Sequence, residues 1–264
     1  MVKPFLKWAG GKRWLTDCPS FELPDFQGTY FEPFLGGGAV FFNARPHTAV
    51  LSDLNPRLIE TYEAVRDHAD ALCALLEEHH RNHSKPYYYQ VRSLKLATPV
   101  QRAAQFLYLN RTCWNGLYRE NLRGEFNVPI GTKSKVFDPD EDLHAISDRL
   151  KGAKLLVSDF EATMSMAGEG DLVFADPPYT TAHNFNGFVK YNETVFAWSD
   201  QVRLKEAAVA AKARGAAVII TNAYHSSILE LYAGAGKVSE LRRQSVISGK
   251  AEGRAKTSEC LISI

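Results

Sequence analysis

The chain has 264 residues, 45% hydrophobic and 23% charged, with a formal net charge of +1. This balance is that of a globular protein and excludes a disordered tail or a collagen-like chain, while the length allows one large domain or two modest ones. No apolar run reaches the ~18 residues of a membrane span, so no membrane partner is expected.

The first residues, Met1-Val2-Lys3-Pro4-Phe5-Leu6-Lys7-Trp8, lack the apolar stretch of a secretory signal. Short β-branched and aromatic runs then predict strands at 29–34 and 49–54. From 56 to 150 the pattern is helical, most clearly at 58–78 and 100–109, and it includes a polar loop at 111–135 rich in Asn, Gly, Arg and aromatics. Strands return at 154–160, 172–175, 216–221 and 259–264. Most are continuous apolar runs, the mark of parallel strands covered on both faces. A helix is expected at 201–214, with Ser199 and Asp200 as cap candidates and Gly215 as the stop. Alternating strand and helix predicts an open α/β sheet with crossovers, interrupted by a helical insert. Four scattered cysteines (Cys18, Cys73, Cys113, Cys260) form no C-x-x-C pair. They predict neither a metal site nor a disulfide framework, and a reducing cytoplasm is the expected location.

Charge is uneven along this chain. The 111–135 stretch carries Arg111, Arg119, Arg123, Lys133 and Lys135 against Glu120 and Glu125. The 237–256 stretch carries Lys237, Arg242, Arg243, Lys250, Arg254 and Lys256 against Glu240 and Glu252. Such runs are usually solvated faces, and they are also where nucleic acid would touch.

Two motifs carry chemistry. In Glu32-Pro33-Phe34-Leu35-Gly36-Gly37-Gly38, a strand runs into a glycine turn, and Asp53 ends the next strand seventeen positions after Gly36. Glycines let the backbone approach a ligand, and an acid at the second strand tip accepts both ribose hydroxyls, so a nucleoside ligand is expected. Phe41 stands where the third glycine of a dinucleotide fingerprint belongs, which weakens a nicotinamide reading. The second motif is Asp176-Pro177-Pro178-Tyr179 at the end of an apolar strand. Two prolines cannot extend a ladder and fix the shape of the tip. The Asp176 carboxylate and the Pro177 carbonyl form an acceptor pair, and Tyr179 adds an aromatic face. That set suits a planar amine whose nitrogen is being driven to attack a methyl group.

With these residues in view, the chain resembles the Dam family of S-adenosylmethionine-dependent DNA adenine-N6 methyltransferases (D12 class, group alpha). The resemblance runs in order through Phe5-Leu6-Lys7-Trp8-Ala9-Gly10-Gly11-Lys12, the glycine turn, Ser52-Asp53-Leu54-Asn55, Leu107-Tyr108-Leu109-Asn110-Arg111-Thr112-Cys113-Trp114-Asn115-Gly116-Leu117-Tyr118-Arg119, Gly124-Glu125-Phe126-Asn127-Val128-Pro129 and Asp176–Tyr179. It implies a Rossmann-like methyltransferase sheet, mostly parallel with an antiparallel last strand, and a helical DNA-recognition insert. Residues 1–55 and 151–264 would form the catalytic domain and 56–150 the target-recognition domain.

The resemblance also implies S-adenosyl-L-methionine as cofactor, held by Trp8, Lys12, Phe34, Gly36, Gly38, Asp53 and Asp176, with Ser158 and Phe160 near its adenine. Catalysis would rest on Asp176, Pro177, Pro178 and Tyr179. Double-stranded DNA would be met by Lys7, Trp114, Asn115, Leu117, Arg119, Asn127 and Pro129, by a monomeric protein. Trp114 suits a wedge beside a flipped base, Asn115 the orphaned partner, Arg119 a guanine, and Leu117 with Pro129 a thymine methyl. Family members with this Leu, Arg and Pro set recognise GATC. The family more often has Tyr where Trp114 stands; Trp keeps the stacking face and loses the hydroxyl. The basic 237–256 segment then reads as a hairpin-like region touching phosphates. The rival readings are a nicotinamide-dependent oxidoreductase, which leaves Asp176–Tyr179 unused, a DNA-binding module without catalysis, and a cytosine-N4 methyltransferase, which usually has Ser in place of Asp176.

Overall fold

The computed structural model describes residues 2–18, 21–121, 123–137, 142–181, 196–242 and 258–264. Seven strands form one sheet: β1 Tyr30–Glu32, β2 Ala49–Asp53, β3 Ala153–Val157, β4 Leu172–Ala175, β5 Ala217–Ala223, β6 Lys237–Arg242 and β7 Ser258–Ser263, in the order β3-β2-β1-β4-β5-β7-β6. The β2–β3, β1–β4 and β4–β5 pairs are parallel, and β7 runs antiparallel to both β5 and β6. This is the mixed α/β sheet expected of the sequence. By packing, the chain divides into two compact units, Met1–Leu23 with Leu35–Val157, and Pro24–Phe34 with Ser158–Ile264.

The first unit holds β2, β3 and helices α1 Arg13–Thr16, α2 Ala39–Ala44, α3 Pro56–Asp67, α4 Ala69–Asn82, α5 Lys85–Ser93, α6 Pro99–Thr112 and α7 Leu143–Leu150. Local chemistry starts these helices where it does. The Asn55 side chain accepts from the N–H groups of Arg57 and Leu58, with Pro56 opening the helix. Ser84, Thr98 and Asp142 cap α5, α6 and α7 in the same way, each such cap being worth ~1 kcal/mol. The core is built of Leu58, Tyr62, Val65, Leu72, Leu76, Leu107 and Tyr108, all fully buried, at ~1.5–3 kcal/mol for each large apolar side chain. The helix expected at 58–78 is two helices. The chain breaks at His68, which has non-helical dihedrals and serves as the C-cap of α3 and the N-cap of α4.

The second unit holds β1, β4–β7 and helices α8 Phe160–Met164, α9 Trp198–Ala213 and α10 Ser226–Leu231. β4 is buried at every residue, between the parallel neighbours β1 and β5. Three expectations are corrected. The strand expected at 154–160 stops at Val157, because Asp159 caps a helix that begins at Phe160. The cap of α9 is Ala197; Asp200 lies three residues into the helix, where its carboxylate accepts from the Ala197 N–H at 2.8 Å. A strand not expected, β6, occupies Lys237–Arg242 at the sheet edge, where charged residues are ordinary. That strand is the start of the basic 237–256 segment; Arg243, Lys250, Arg254 and Lys256 lie outside the described residues. Among the described residues, no helix is long and apolar enough to cross a membrane and no cluster of metal-ligating side chains occurs.

Candidate active site and nucleic-acid interface

In the first unit, the glycine turn is built around Asp53. The Gly36 N–H donates to Asp53 Oδ2 at 3.1 Å, and the Asn55 N–H donates to Oδ1 at 3.0 Å. Gly36 and Gly38 adopt positive φ, and a Cβ at Gly36 would lie 2.7 Å from the Trp8 ring. The Tyr62 hydroxyl donates to the Gly36 carbonyl at 3.1 Å and closes the turn from below. Burial pushes the Asp53 carboxyl above its usual range, opposed by the N–H groups of Asn55, Gly36 and Leu54. Gly36 donates to one Asp53 oxygen and Asn55 to the other, and a carboxylate has about four acceptor sites, so capacity for hydroxyl donors remains.

Trp8 is half-buried, stacked on Tyr118 (5.6 Å, 22°) and Phe106 (6.3 Å, 24°). Lys12 is buried, and its ammonium donates to the Gly10 carbonyl at 2.8 Å. The structure thus brings Trp8 to Gly36 and Gly36 to Asp53, while Lys12 holds its own glycine loop.

The polar loop of this unit is an excursion pinned at its base. Cys113 pairs with Ile130, the Trp114 N–H donates to the Pro129 carbonyl at 2.9 Å, and the Gly131 N–H donates to the Thr112 carbonyl at 2.7 Å. Further out Glu120 pairs with Phe126, and the Asn127 N–H donates to the Arg119 carbonyl. Buried Asn110 ties the loop to the N-terminal segment: it accepts from the Lys7 N–H at 3.0 Å and donates to the carbonyls of Lys7 and Gly116. Gly116 has positive φ, and a Cβ there would lie 2.5 Å from Lys7 Cδ, so the lysine stem packs on it.

This frame leaves Trp114 52% and Leu117 44% exposed, with Asn115, Arg119 and Pro129 also at the surface. Asn127 Oδ1 accepts from Arg119 Nε at 2.8 Å, which orients the guanidinium and leaves its other N–H groups. The Lys7 ammonium is held to about 8, by burial first and then by the hydrogen bond and charge of Lys133. All seven DNA-contact candidates are thus collected on this loop and the segment clamped to it. Next to it lies a cavity of about 450 Å³ lined by Arg57, Arg92, Lys95 and Arg102 with Glu120 and Glu125; none of the predicted site residues lines it.

In the second unit, the Asp176–Tyr179 turn leaves the end of β4. Thr221 Oγ1, on β5, donates to Asp176 Oδ1 at 2.6 Å. The Tyr179 hydroxyl donates to Oε2 of buried Glu259, on β7, at 2.7 Å. Behind the turn a buried amide relay runs from Asn222 Nδ2 to Gln201 Oε1 (2.9 Å) and from Gln201 Nε2 to the Thr180 carbonyl (3.3 Å), while Thr180 Oγ1 donates to the Phe196 carbonyl (2.7 Å). No backbone donor of the described residues meets the Pro177 carbonyl. Burial, then the charges of Asp176 and Glu259, push the Tyr179 phenol far above its ordinary range, so it stays a donor at neutral pH.

Sequence reasoning did not find Thr221, Glu259, Gln201 or Asn222. The available signal was an acid and two polar residues inside otherwise apolar strands. Phe160 is buried, stacked on Phe34 (5.3 Å, 23°) and under Arg203 (4.8 Å), which also pairs with Asp159, Glu161 and Asp200. Half-exposed Ser158 donates to the Asp159 carbonyl at 3.1 Å.

Residues 8–247 match the model of the D12 class N6 adenine-specific DNA methyltransferase family. The chain is 34% identical to the type II methyltransferase M1.LlaDCHI of Lactococcus lactis subsp. cremoris, over 99% of this chain and 95% of that protein. It is 34% identical to the DNA adenine methylase of Escherichia coli K12 (98% and 94%) and 33% identical to that of Haemophilus influenzae (98% and 92%). A match over nearly the whole chain, with the glycine turn and the Asp176 turn both formed, means that this protein belongs to the D12 class of N6 adenine-specific DNA methyltransferases.

Proposed function

We propose that this chain transfers the methyl group of S-adenosyl-L-methionine to N6 of an adenine flipped out of duplex DNA, within the sequence GATC. The observation that carries the reading is the turn after β4, where Thr221 holds Asp176 and two prolines fix the backbone. Asp176 and the Pro177 carbonyl accept the two N–H bonds of the adenine amine, and the Tyr179 ring stacks on the base. Hydrogen bonds directed this way favour a pyramidal nitrogen, whose lone pair is freed from the ring, over the planar ground state.

The fit of a sulfonium nucleoside is supported by the Asp53 turn. Its carboxylate is pinned by two backbone donors beside a glycine whose Cβ would strike Trp8. Asp53 would take the ribose hydroxyls, Gly36 and Gly38 would permit close approach, and Trp8 and Lys12 would border the methionine part. Ser158 and Phe160, with Phe34 stacked on it, would border the adenine. When bound, the cofactor supplies an electrophilic methyl group.

On the DNA, exposed Trp114 wedges into the stack that the adenine leaves and Asn115 pairs with the orphaned base. Arg119, oriented by Asn127, reads guanine O6 and N7, and Leu117 with Pro129 meets a thymine methyl. Residues 56–150 serve as the target-recognition part, and 1–55 with 151–264 as the catalytic part. Purified protein is incubated with methyl-labelled S-adenosylmethionine and GATC duplexes carrying single-base changes. Label on N6 of adenine in GATC, with losses at each changed position, is the expected result. Label on cytosine, or equal labelling of all duplexes, would overturn the chemistry or the site, respectively.

A further inference from the structure

We infer that Glu259 is a positioning residue of the methyl-acceptor site, acting through the Tyr179 hydroxyl to fix the stacking ring and to place a negative charge at its edge. The inference rests on the reading of Asp176–Tyr179 as the adenine-amine site. Glu259 is the second residue of β7, followed by Cys260, Leu261 and Ile262, and it is only 9% exposed. A buried carboxylate costs several kcal/mol unless it is well bonded, and an apolar residue would suit the sheet better. Register sets Glu259 opposite Ala223 on β5, two residues from Thr221.

Two side-chain pairs then hold the turn. Thr221 donates to Asp176, and Tyr179 donates to Glu259. In each pair a hydroxyl donates to a carboxyl group, and burial, then the nearby charges, keep the proton on the Tyr179 phenol.

This arrangement distinguishes the transition state from the bound base. In the transfer, the amine lone pair forms the N–C bond while the pair of the breaking S–C bond stays on sulfur. Positive charge passes from sulfur to nitrogen, and the methylated amine then releases one proton to water. A phenol donating to a carboxylate has a more electron-rich ring, which attracts a stacked ring more strongly as that ring becomes cationic. A neutral adenine gains little from it. Glu259 should therefore act on kcat and leave the KM values for DNA and cofactor nearly unchanged.

The test uses the full chain on a duplex carrying a site that the wild type methylates, with 2-aminopurine in place of the target adenine as a separate probe of flipping. Glu259→Gln keeps the shape and the acceptor oxygen and removes the charge. A fall in kcat of ~10-fold is expected, with both KM values and the 2-aminopurine signal kept. Tyr179→Phe, which breaks the same bond without touching the buried acid, should lose about as much, and the double variant no more than the worse single one. Wild-type kcat in Glu259→Gln, losses that multiply in the double variant, or a loss confined to KM and the flipping signal overturns the inference and leaves the proposed reaction standing. If Glu259→Gln fails to fold, full kcat in Tyr179→Phe overturns it as well. A wild type that methylates no adenine in any duplex overturns both.

Discussion

The turn after β4 and the loop after α6 are both short polar segments, and they are held in opposite ways. At the turn, side chains hold side chains: Thr221 grips Asp176, Glu259 grips Tyr179, and Gln201 with Asn222 backs Thr180. Most of these partners are buried. In the loop, backbone holds backbone through Cys113–Ile130, Trp114–Pro129 and Gly131–Thr112, and most of the candidate side chains project into solvent. The difference follows from the chemistry expected of each. Groups that stabilise a developing charge act best when they need not reorganise, and a buried, fully bonded network supplies that. Groups that read a duplex must meet a partner that arrives from outside, so the main chain is fixed in advance and, of the reading side chains, Arg119 is braced by Asn127.

If the contrast is real, damage to the turn should be large and confined to turnover. Asp176→Ala removes an acceptor that Thr221 already orients. Methyl transfer should fall by ~10²–10³-fold or more in a protein that still melts cooperatively. Thr221→Val should lose less, because Asp176 remains and only its orientation is released. Single-turnover labelling with melting curves checks both, and near-normal turnover in a folded Asp176→Ala protein would remove Asp176 from the mechanism.

The Asp53 turn combines the two ways of holding, since there backbone donors hold a candidate side chain. Ligand that binds only the folded state stabilises it by about 2.7 kcal/mol at 100 times its Kd. S-adenosylmethionine should therefore raise the melting temperature, and Asp53→Ala should blunt the rise while the unliganded protein melts nearly as before. Stabilisation by a nicotinamide nucleotide instead would revive the oxidoreductase reading that family membership sets aside.

How much of this was legible in the sequence depends on range. β2, β4 and β5 were plain as apolar runs, and Gly36, Asp53 and Asp176–Tyr179 as motifs, because each signal lies within a few residues. β6 was hidden because Lys237, Glu240 and Arg242 mark an edge strand with the same composition as a solvated loop. The end of β3 was overrun because Phe160 is apolar enough to continue a strand; only Asp159, read as a cap, would have stopped it. The braces of the turn were beyond reach. Thr221, Gln201 and Glu259 are of common types, and strand register and helix packing bring them to Asp176–Thr180 across 45, 21 and 80 residues respectively.

The loop should fail differently, through choice of base more than through rate. Arg119→Ala should cost ~1–3 kcal/mol of discrimination at one guanine and leave binding to unrelated duplex nearly intact. Asn127→Ala, which frees Arg119 Nε, should cost a fraction of that at the same base and nothing elsewhere. Methylation rates on single-base variants of the site give both numbers. If Arg119→Ala slows every duplex equally, the residue holds phosphate, and the loop is read backwards.

The smallest effect tests the edge of the loop, where burial first, and then the neighbouring Lys133, lower the Lys7 ammonium to about 8. An ordinary lysine keeps its charge to pH ~10.4. Below pH 8 Lys7 is cationic whether or not DNA is bound, so its contribution to binding does not change with pH. Above pH 8 the free protein loses that charge, and an anion bound beside it must recruit a proton first. Affinity for duplex should therefore fall as pH rises from 7 to 9, by ~1 kcal/mol or less at moderate salt. Lys7→Arg should abolish the fall, since a guanidinium keeps its charge throughout. Lys133→Ala should move the fall to higher pH by removing the neighbouring charge, and should lower the salt slope by about one unit if Lys133 itself meets a phosphate. Fluorescence anisotropy at pH 7, 8 and 9 and at constant ionic strength resolves these cases. A flat profile in the wild type would mean that no anion is held by the Lys7 ammonium, and that its clamp to Asn110 and Gly116 serves only to seat the loop.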